Sequence, residues 1–254
     1  MSGLVTIVGL GPGDPRYLTP AASEALASAT DLVGYGPYVD RVPQRAGQRR
    51  HASDNRVELD RARFALELAA KGARVAVVSG GDPGVFAMAA AVFEAVENGD
   101  PAWRGLDIRV EPGITAMLAA AARVGAPLGG DFCAMSLSDN LKPWEVVEAR
   151  LRAALAADFV VALYNPISSA RPWQLGAAFA IAAETRGSET PVILARAVMR
   201  PDERIGIVPL REVQASMADM STLVIIGAST TRLIERPEGR APFVYTPRFY
   251  GVRA

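Results

Sequence analysis

Cysteine and histidine are nearly absent: Cys133 and His51 are the only residues of their kinds in 254. One cysteine excludes an intrachain disulfide and any thiolate cluster for zinc or iron–sulfur. One histidine excludes the commoner multi-histidine metal sites, so no metal is expected. Neither sign of charge prevails, with 27 basic and 27 acidic residues, which argues against a general nucleic-acid binder. No stretch approaches the roughly 18 apolar residues of a membrane-spanning helix. Met1-Ser2-Gly3 passes straight into an apolar run, without a basic leader or cleavable segment, so a cytoplasmic protein with no membrane partner is expected. Apolar residues are plentiful at 50%, enough for a substantial core in one large α/β domain or two smaller ones.

Short β-type runs alternate with helical patterns along nearly the whole chain, which predicts mainly parallel or mixed sheets flanked by helices. Strands are expected at 4–8, 31–33, 74–79 and 108–111, with helices at 20–29, 56–70 and 83–98. Val57, Leu59, Phe64, Leu66 and Leu68 are expected to supply the buried contacts of the second helix. Near Pro112-Gly113 the pattern breaks and a second series starts, so two α/β domains are expected, 1–112 and 113–254, sharing a ligand cleft. In the second, helices are expected at 116–124, 144–157 and 172–185. Its strands are expected at 132–136, 159–163, 191–195, 205–208 and 222–226. The polar stretch 44–55 reads as a loop over the cleft.

Glycine- or proline-marked turns follow four apolar runs: Gly9-Leu10-Gly11-Pro12-Gly13-Asp14, Gly80-Gly81-Asp82-Pro83, Pro112-Gly113-Ile114-Thr115 and Tyr164-Asn165-Pro166. Any one could merely reverse the chain. Together at one sheet edge they would line a pocket, the usual ligand position in such folds. The first looks like a dinucleotide fingerprint, but Asp14 stands where a third glycine is needed, and Pro12 has no amide hydrogen. It suits an uncharged or cationic ligand part better than a phosphate. A nicotinamide-dependent oxidoreductase should also show an acid ending the second strand, and Asp31-Leu32-Val33-Gly34-Tyr35 ends without one.

These turns, with Ser221-Thr222-Leu223-Val224-Ile225-Ile226-Gly227, resemble the marks of the tetrapyrrole methylase family over nearly the full length. The resemblance implies transfer of a methyl group from S-adenosyl-L-methionine, leaving S-adenosyl-L-homocysteine, on two α/β domains. Gly34-Tyr35-Gly36-Pro37-Tyr38, Ser53-Asp54-Asn55-Arg56, Ser138-Asp139-Asn140 and the run through Met88 resemble the members that methylate carbon 17 of precorrin-3B and contract its ring. The cobalt-containing analogue, cobalt-factor III, is the alternative substrate, and a non-catalytic binder of tetrapyrrole or donor is a further one. A homodimer is implied. Donor contacts carried over by the resemblance are Pro12, Gly81, Asp82, Val85 and Phe86, then Thr115 and Ala116. Tyr164 and Asn165 follow, with Ala195, Arg196, Thr222 and Leu223 toward the adenosine end.

Methyl transfer from a sulfonium needs alignment more than acid–base help, and positioning alone is worth ~7 kcal/mol or more. Ring contraction must in addition move a hydroxyl proton, so a base is sought. His51, Asp14, Asp40, Asp82, Glu58 and Asp139 are the candidates, His51 and Asp14 foremost, although Asp14 could equally cap loop amides. A substrate edged with acetates and propionates calls for arginines. The cluster Arg45, Arg49, Arg50 and Arg56, with Tyr35 and Tyr38, is the candidate surface.

Overall fold

The structure is a computed structural model that describes residues 3–54 and 57–249. The chain divides into two compact units, Met1–Thr115 and Ala116–Ala254. Arg56 and Asn55, named above, lie outside the described residues.

The first unit runs β1 (Leu4–Gly9), α1 (Pro20–Ser28), β2 (Asp31–Tyr35), α2 (Gly36–Val39), β3 (Arg49–Ser53), α3 (Glu58–Ala70), β4 (Arg74–Ser79), α4 (Met88–Asn98) and β5 (Asp107–Glu111). Its five strands pair in the order β3-β2-β4-β1-β5, every pair parallel. Central strands β1 and β4 are buried along nearly their whole length, as a parallel sheet covered on both faces requires. Ala22 and Leu26 of α1 pack with Val39 on Val8, Leu32, Ala76 and Val78. On the other face, α3 and α4 bring Ala62, Leu66, Met88 and Val92 against Val5, Ile7, Val33 and Val77. Helix α1 starts where Pro20 presets the first turn and the Thr19 hydroxyl accepts from the Ala22 amide at 3.1 Å.

The second unit runs α5 (Ala116–Val124), β6 (Gly125–Ala126), β7 (Phe132–Ser136), α6 (Trp144–Ala156), β8 (Val160–Tyr164), α7 (Gln174–Ala183), β9 (Pro191–Arg196), β10 (Arg204–Pro209), β11 (Thr222–Ile226), β12 (Arg232–Ile234) and β13 (Phe243–Tyr245). Its main sheet has the order β10-β9-β11-β8-β7; β7 and β8 are parallel and the other pairs antiparallel. Helices α6 and α7 bury Leu151, Leu155, Leu175 and Ala178 on one face. Helix α5 and Val244 of β13 cover the other. Strands β12, β13 and β6 form a small separate sheet.

Several expectations need correction. Residues 49–53 form strand β3, so the expected loop over 44–55 is partly sheet. Helix α4 begins at Met88 rather than at residue 83, because Phe86 adopts φ +52 and Ala87 is extended at φ −144, neither of which a helix can absorb. Helix α3 buries Arg61, Ala62, Ala65, Leu66 and Ala69, while Leu59 and Phe64 face solvent. The four marked turns belong to two sheets, three to the first and Tyr164-Asn165-Pro166 to the second. Strands β6, β12 and β13 and the four-residue α2 were not anticipated.

Candidate functional site

In the first unit, the carboxyl ends of β1, β4 and β5 carry three turns locked together by backbone. Gly11 and Gly81 exchange two hydrogen bonds, of 3.1 and 2.9 Å, both in left-handed backbone at φ +65 and +66. A Cβ on Gly113 would stand 2.2 Å from the Gly81 oxygen, and one on Gly9 would stand 2.6 Å from the Gly113 nitrogen. Glycine is therefore demanded by contact as well as by backbone angle. Asp82 fastens the same edge: its carboxylate accepts from the Gly84 amide at 2.8 Å and the Gly113 amide at 3.1 Å. Arg41 donates to the carbonyls of Leu10 and Gly11 at 3.2 and 3.1 Å. Tyr38 lies against Gly80, whose Cβ would meet its ring at 2.7 Å, and Tyr35 meets Tyr38 edge-on at 5.4 Å. Beside this edge Val85 and Pro12 are half-buried, while Phe86 is 50% exposed in a conformation that costs a non-glycine residue about 1–3 kcal/mol. Thr115 is buried.

Asp14 caps a short 3-10 turn, Pro15–Tyr17, accepting from the Arg16 amide at 2.9 Å and the Arg16 guanidinium at 2.6 Å. The carboxylate occupies the place where a dinucleotide fold presents amides to pyrophosphate, so the edge suits a cationic or neutral ligand.

Arg45, Arg49 and Arg50, the described members of the basic cluster, do not gather at this edge. Parallel pairing sets Arg49 opposite Asp31, at the amino end of β2, and only Ser53 opposite Tyr35 at the carboxyl end. Arg49 is bound to the fully buried Asp31 carboxylate at 2.8 Å, and His51 Nε2 lies 2.8 Å from its other oxygen. Burial pushes the Asp31 carboxyl up, yet hydrogen bonds from Arg49, His51 and Thr30, with the Arg49 charge, hold it below the usual carboxylate range. His51 also packs edge-on against Phe64 at 5.0 Å. His51 is thus a mid-strand group braced by an aspartate, not a loop residue. Arg50 points to the other face and donates to the Val42 carbonyl, and Arg45 is exposed.

In the second unit, β7, β8 and β9 run the same way, and their carboxyl ends with the start of β11 form one edge. Tyr164 accepts the Met117 amide at 3.1 Å, tying the end of β8 to the first turn of α5. Asn165, at φ +50, donates its side-chain amide to Ser136 Oγ at 3.0 Å, and its carbonyl accepts from Arg171 at 2.9 Å. Strand register brings Thr222 opposite Arg196 and Leu223 opposite Ala195, so the four residues expected at the adenosine end are neighbours. Their side chains are committed elsewhere. Arg196 pairs with Asp219 at 2.7 Å and Asp202 at 2.9 Å; Thr222 donates to Asp219 at 2.9 Å; Ala195 and Leu223 are in the core. The arginine's hydrogen bonds hold Asp202 low and, against the upward push of burial, Asp219 as well. Of these four side chains only Arg196, 34% exposed, keeps accessible surface; Ala195, Thr222 and Leu223 are buried. After β9, Ala197 and Met199 also take positive φ, +48 and +58, so this edge, like the first, concentrates backbone strain.

Arg61 escaped the sequence reading, because Glu58-Leu59-Asp60-Arg61 looks like a solvated helix start. Its place in line with the buried Ala65 and Ala69, four and eight residues on, was the available signal.

A family model described as Tetrapyrrole (Corrin/Porphyrin) Methylases matches residues 4–214. The chain is 58% identical over 250 residues to a Precorrin-3B C(17)-methyltransferase of Sinorhizobium sp, covering 98% of each. It is 49% identical to the cobalamin biosynthesis protein CobIJ of Mycobacterium bovis, covering 98% of this chain and 49% of that longer protein. The crystal structure of the methyltransferase CobJ superposes with a TM-score of 0.92 at 54% identity, over 97% of this chain and all of that one. The chain belongs to the tetrapyrrole methylase family.

Proposed function

We propose that this protein transfers a methyl group from S-adenosyl-L-methionine to carbon 17 of precorrin-3B, with ring contraction to precorrin-4. The observation that carries the reading is 58% identity, across 98% of both chains, to a relative named for that reaction. A homodimer acting in the cytoplasm belongs to the same reading.

The chain's chemistry supports the donor. A sulfonium cation with an amino-acid arm needs close main-chain approach and no phosphate cradle, and the Gly11–Gly81 edge beside Asp14 offers that. Gly81, Asp82, Val85, Phe86 and Pro12 would hold it in the first unit, with Thr115. Ala116, Tyr164, Asn165 and the backbone of 195–196 and 222–223 would hold it in the second. When bound, the donor supplies an activated methyl group. Residues of the chain bind and align: Asp82 and Arg41 fix the turns, so the edge reorganises little when the acceptor carbon approaches. Proton removal for ring contraction is not assigned to His51, whose ring is engaged by Asp31, nor to Asp14, whose carboxylate is tied to Arg16.

The test is incubation of the purified protein with methyl-labelled donor and either precorrin-3B or cobalt-factor III. Label at carbon 17 of a contracted, metal-free product is expected. Turnover of the cobalt form alone replaces the substrate, and donor binding without any transfer replaces the enzyme with a carrier.

A further inference from the structure

Among the described residues three arginines are almost fully buried, and they are compensated differently. Arg171, 6% exposed, closes its own turn through the Asn165 carbonyl at 2.9 Å and lies 3.6 Å from the Met220 sulfur. Arg186, 8% exposed, donates to the carbonyls of Leu155, Phe159 and Gly227 and pairs with Asp158 at 3.0 Å. Arg61, 4% exposed, donates to Ser53 Oγ at 2.8 Å, to the Asp54 carbonyl, and to the Met88 sulfur at 3.2 Å. Among the described residues no carboxylate reaches ion-pair distance of Arg61; Glu58 and Asp54 act on it only from farther away. Burial is the strongest influence on this guanidinium and pushes its pKa down.

A buried cation held by a hydroxyl, one carbonyl and a thioether is under-compensated. Sulfur is a weak acceptor, and a guanidinium has five N–H donors to satisfy. Position suggests what completes it. Ser53 and Asp54 close β3 at the carboxyl edge of the parallel sheet, and Met88 opens α4 directly after the strained turn at Phe86. A methionine has three rotatable side-chain bonds, so its sulfur can leave the guanidinium without any backbone change.

We propose that Arg61 receives a peripheral carboxylate of the tetrapyrrole substrate, bidentately, with the Met88 side chain yielding its place. This rests on the methylase reading and adds to it a substrate contact in a position not included in the expected basic cluster. The acetate or propionate supplies the missing counter-charge, so the contact discriminates an acid from its neutral ester.

Arg61→Met and Met88→Glu separate this from a purely structural role. Steady-state kinetics with precorrin-3B, S-adenosylhomocysteine calorimetry and thermal unfolding are measured on the full chain. Arg61→Met is expected to raise KM for precorrin-3B about tenfold or more, as loss of a charge-assisted bond implies, while homocysteine-product affinity stays within about twofold. Met88→Glu places a carboxylate on the guanidinium from within. It is expected to keep or raise the melting temperature and still raise KM about tenfold by competition, so the proposal remains testable if Arg61→Met does not fold. KM within about twofold of wild type in Met88→Glu, or in a folded Arg61→Met, overturns the assignment while leaving the methylase reading intact. Absence of wild-type turnover overturns the methylase reading itself.

Discussion

At Gly113 one added methyl group would meet the Gly81 carbonyl at 2.2 Å, and backbone on both sides cannot give way cheaply. Gly113→Ala is therefore expected to destabilise by roughly 1–3 kcal/mol, the usual cost of overpacking, and to weaken S-adenosylhomocysteine binding by displacing the Gly11–Gly81 pair. Urea unfolding and calorimetry read the two effects, and unchanged affinity with lowered stability removes this edge from the donor site. Asp31 makes a different residue-scale prediction. Its carboxyl is held below its unfolded value of about 3.9, so it contributes stability above that pH, and the contribution fades as pH falls through and below it. Asp31→Asn is expected to cost about 1.5–3 kcal/mol at pH 7 and to flatten the fall in urea midpoint below pH 4. A parallel fall in both proteins would show that another group carries the acid sensitivity.

Strand β3 explains much of what the sequence hid. Arg49-Arg50-His51-Ala52-Ser53 carries no apolar run, because it is an edge strand whose outer side chains serve Asp31 and the Val42 carbonyl instead of a core. Strands β1 and β4 were legible because burial on both faces leaves only Val, Ile, Leu and small residues. The turns were legible too, since close backbone approach admits glycine alone. The buried stripe of α3 was legible at Leu66 but misjudged elsewhere, because three alanines and one arginine fill the rest of it while Leu59 and Phe64 point outward. His51 belongs to this element, so His51→Gln is expected to lower stability by about 1–2 kcal/mol and to change ring contraction less than about threefold. Selective loss of contraction with methylation intact would return it to the role of base. At the turn before α4, Phe86→Gly relieves the φ +52 strain and gives up the buried half of the side chain, two effects of opposite sign. The variant is expected to stay within about 1 kcal/mol of the parent in stability while binding S-adenosylhomocysteine more weakly.

Each unit has cores of its own on both faces of its sheet, so each can report separately on ligand binding. Tryptophans provide the reporters: Trp103 packs into the first unit's core, and Trp144 and Trp173 stack edge-on at 4.9 Å in the second. The proposed donor contacts draw on residues of both units, Gly81 and Asp82 in one, Tyr164 and Asn165 in the other. A ligand that binds only the folded state adds about 2.7 kcal/mol at a hundred times its dissociation constant. Unfolding followed in Trp103→Phe and, separately, in the Trp144→Phe/Trp173→Phe double variant is expected to show that gain at both reporters with saturating S-adenosylhomocysteine. Stabilisation of the Trp103 signal alone would confine the donor to the first unit and strip Tyr164, Asn165 and the 195–196 and 222–223 backbone of their proposed role. Stabilisation of the second unit alone would do the same to the glycine edge, where backbone contact and strain are most concentrated.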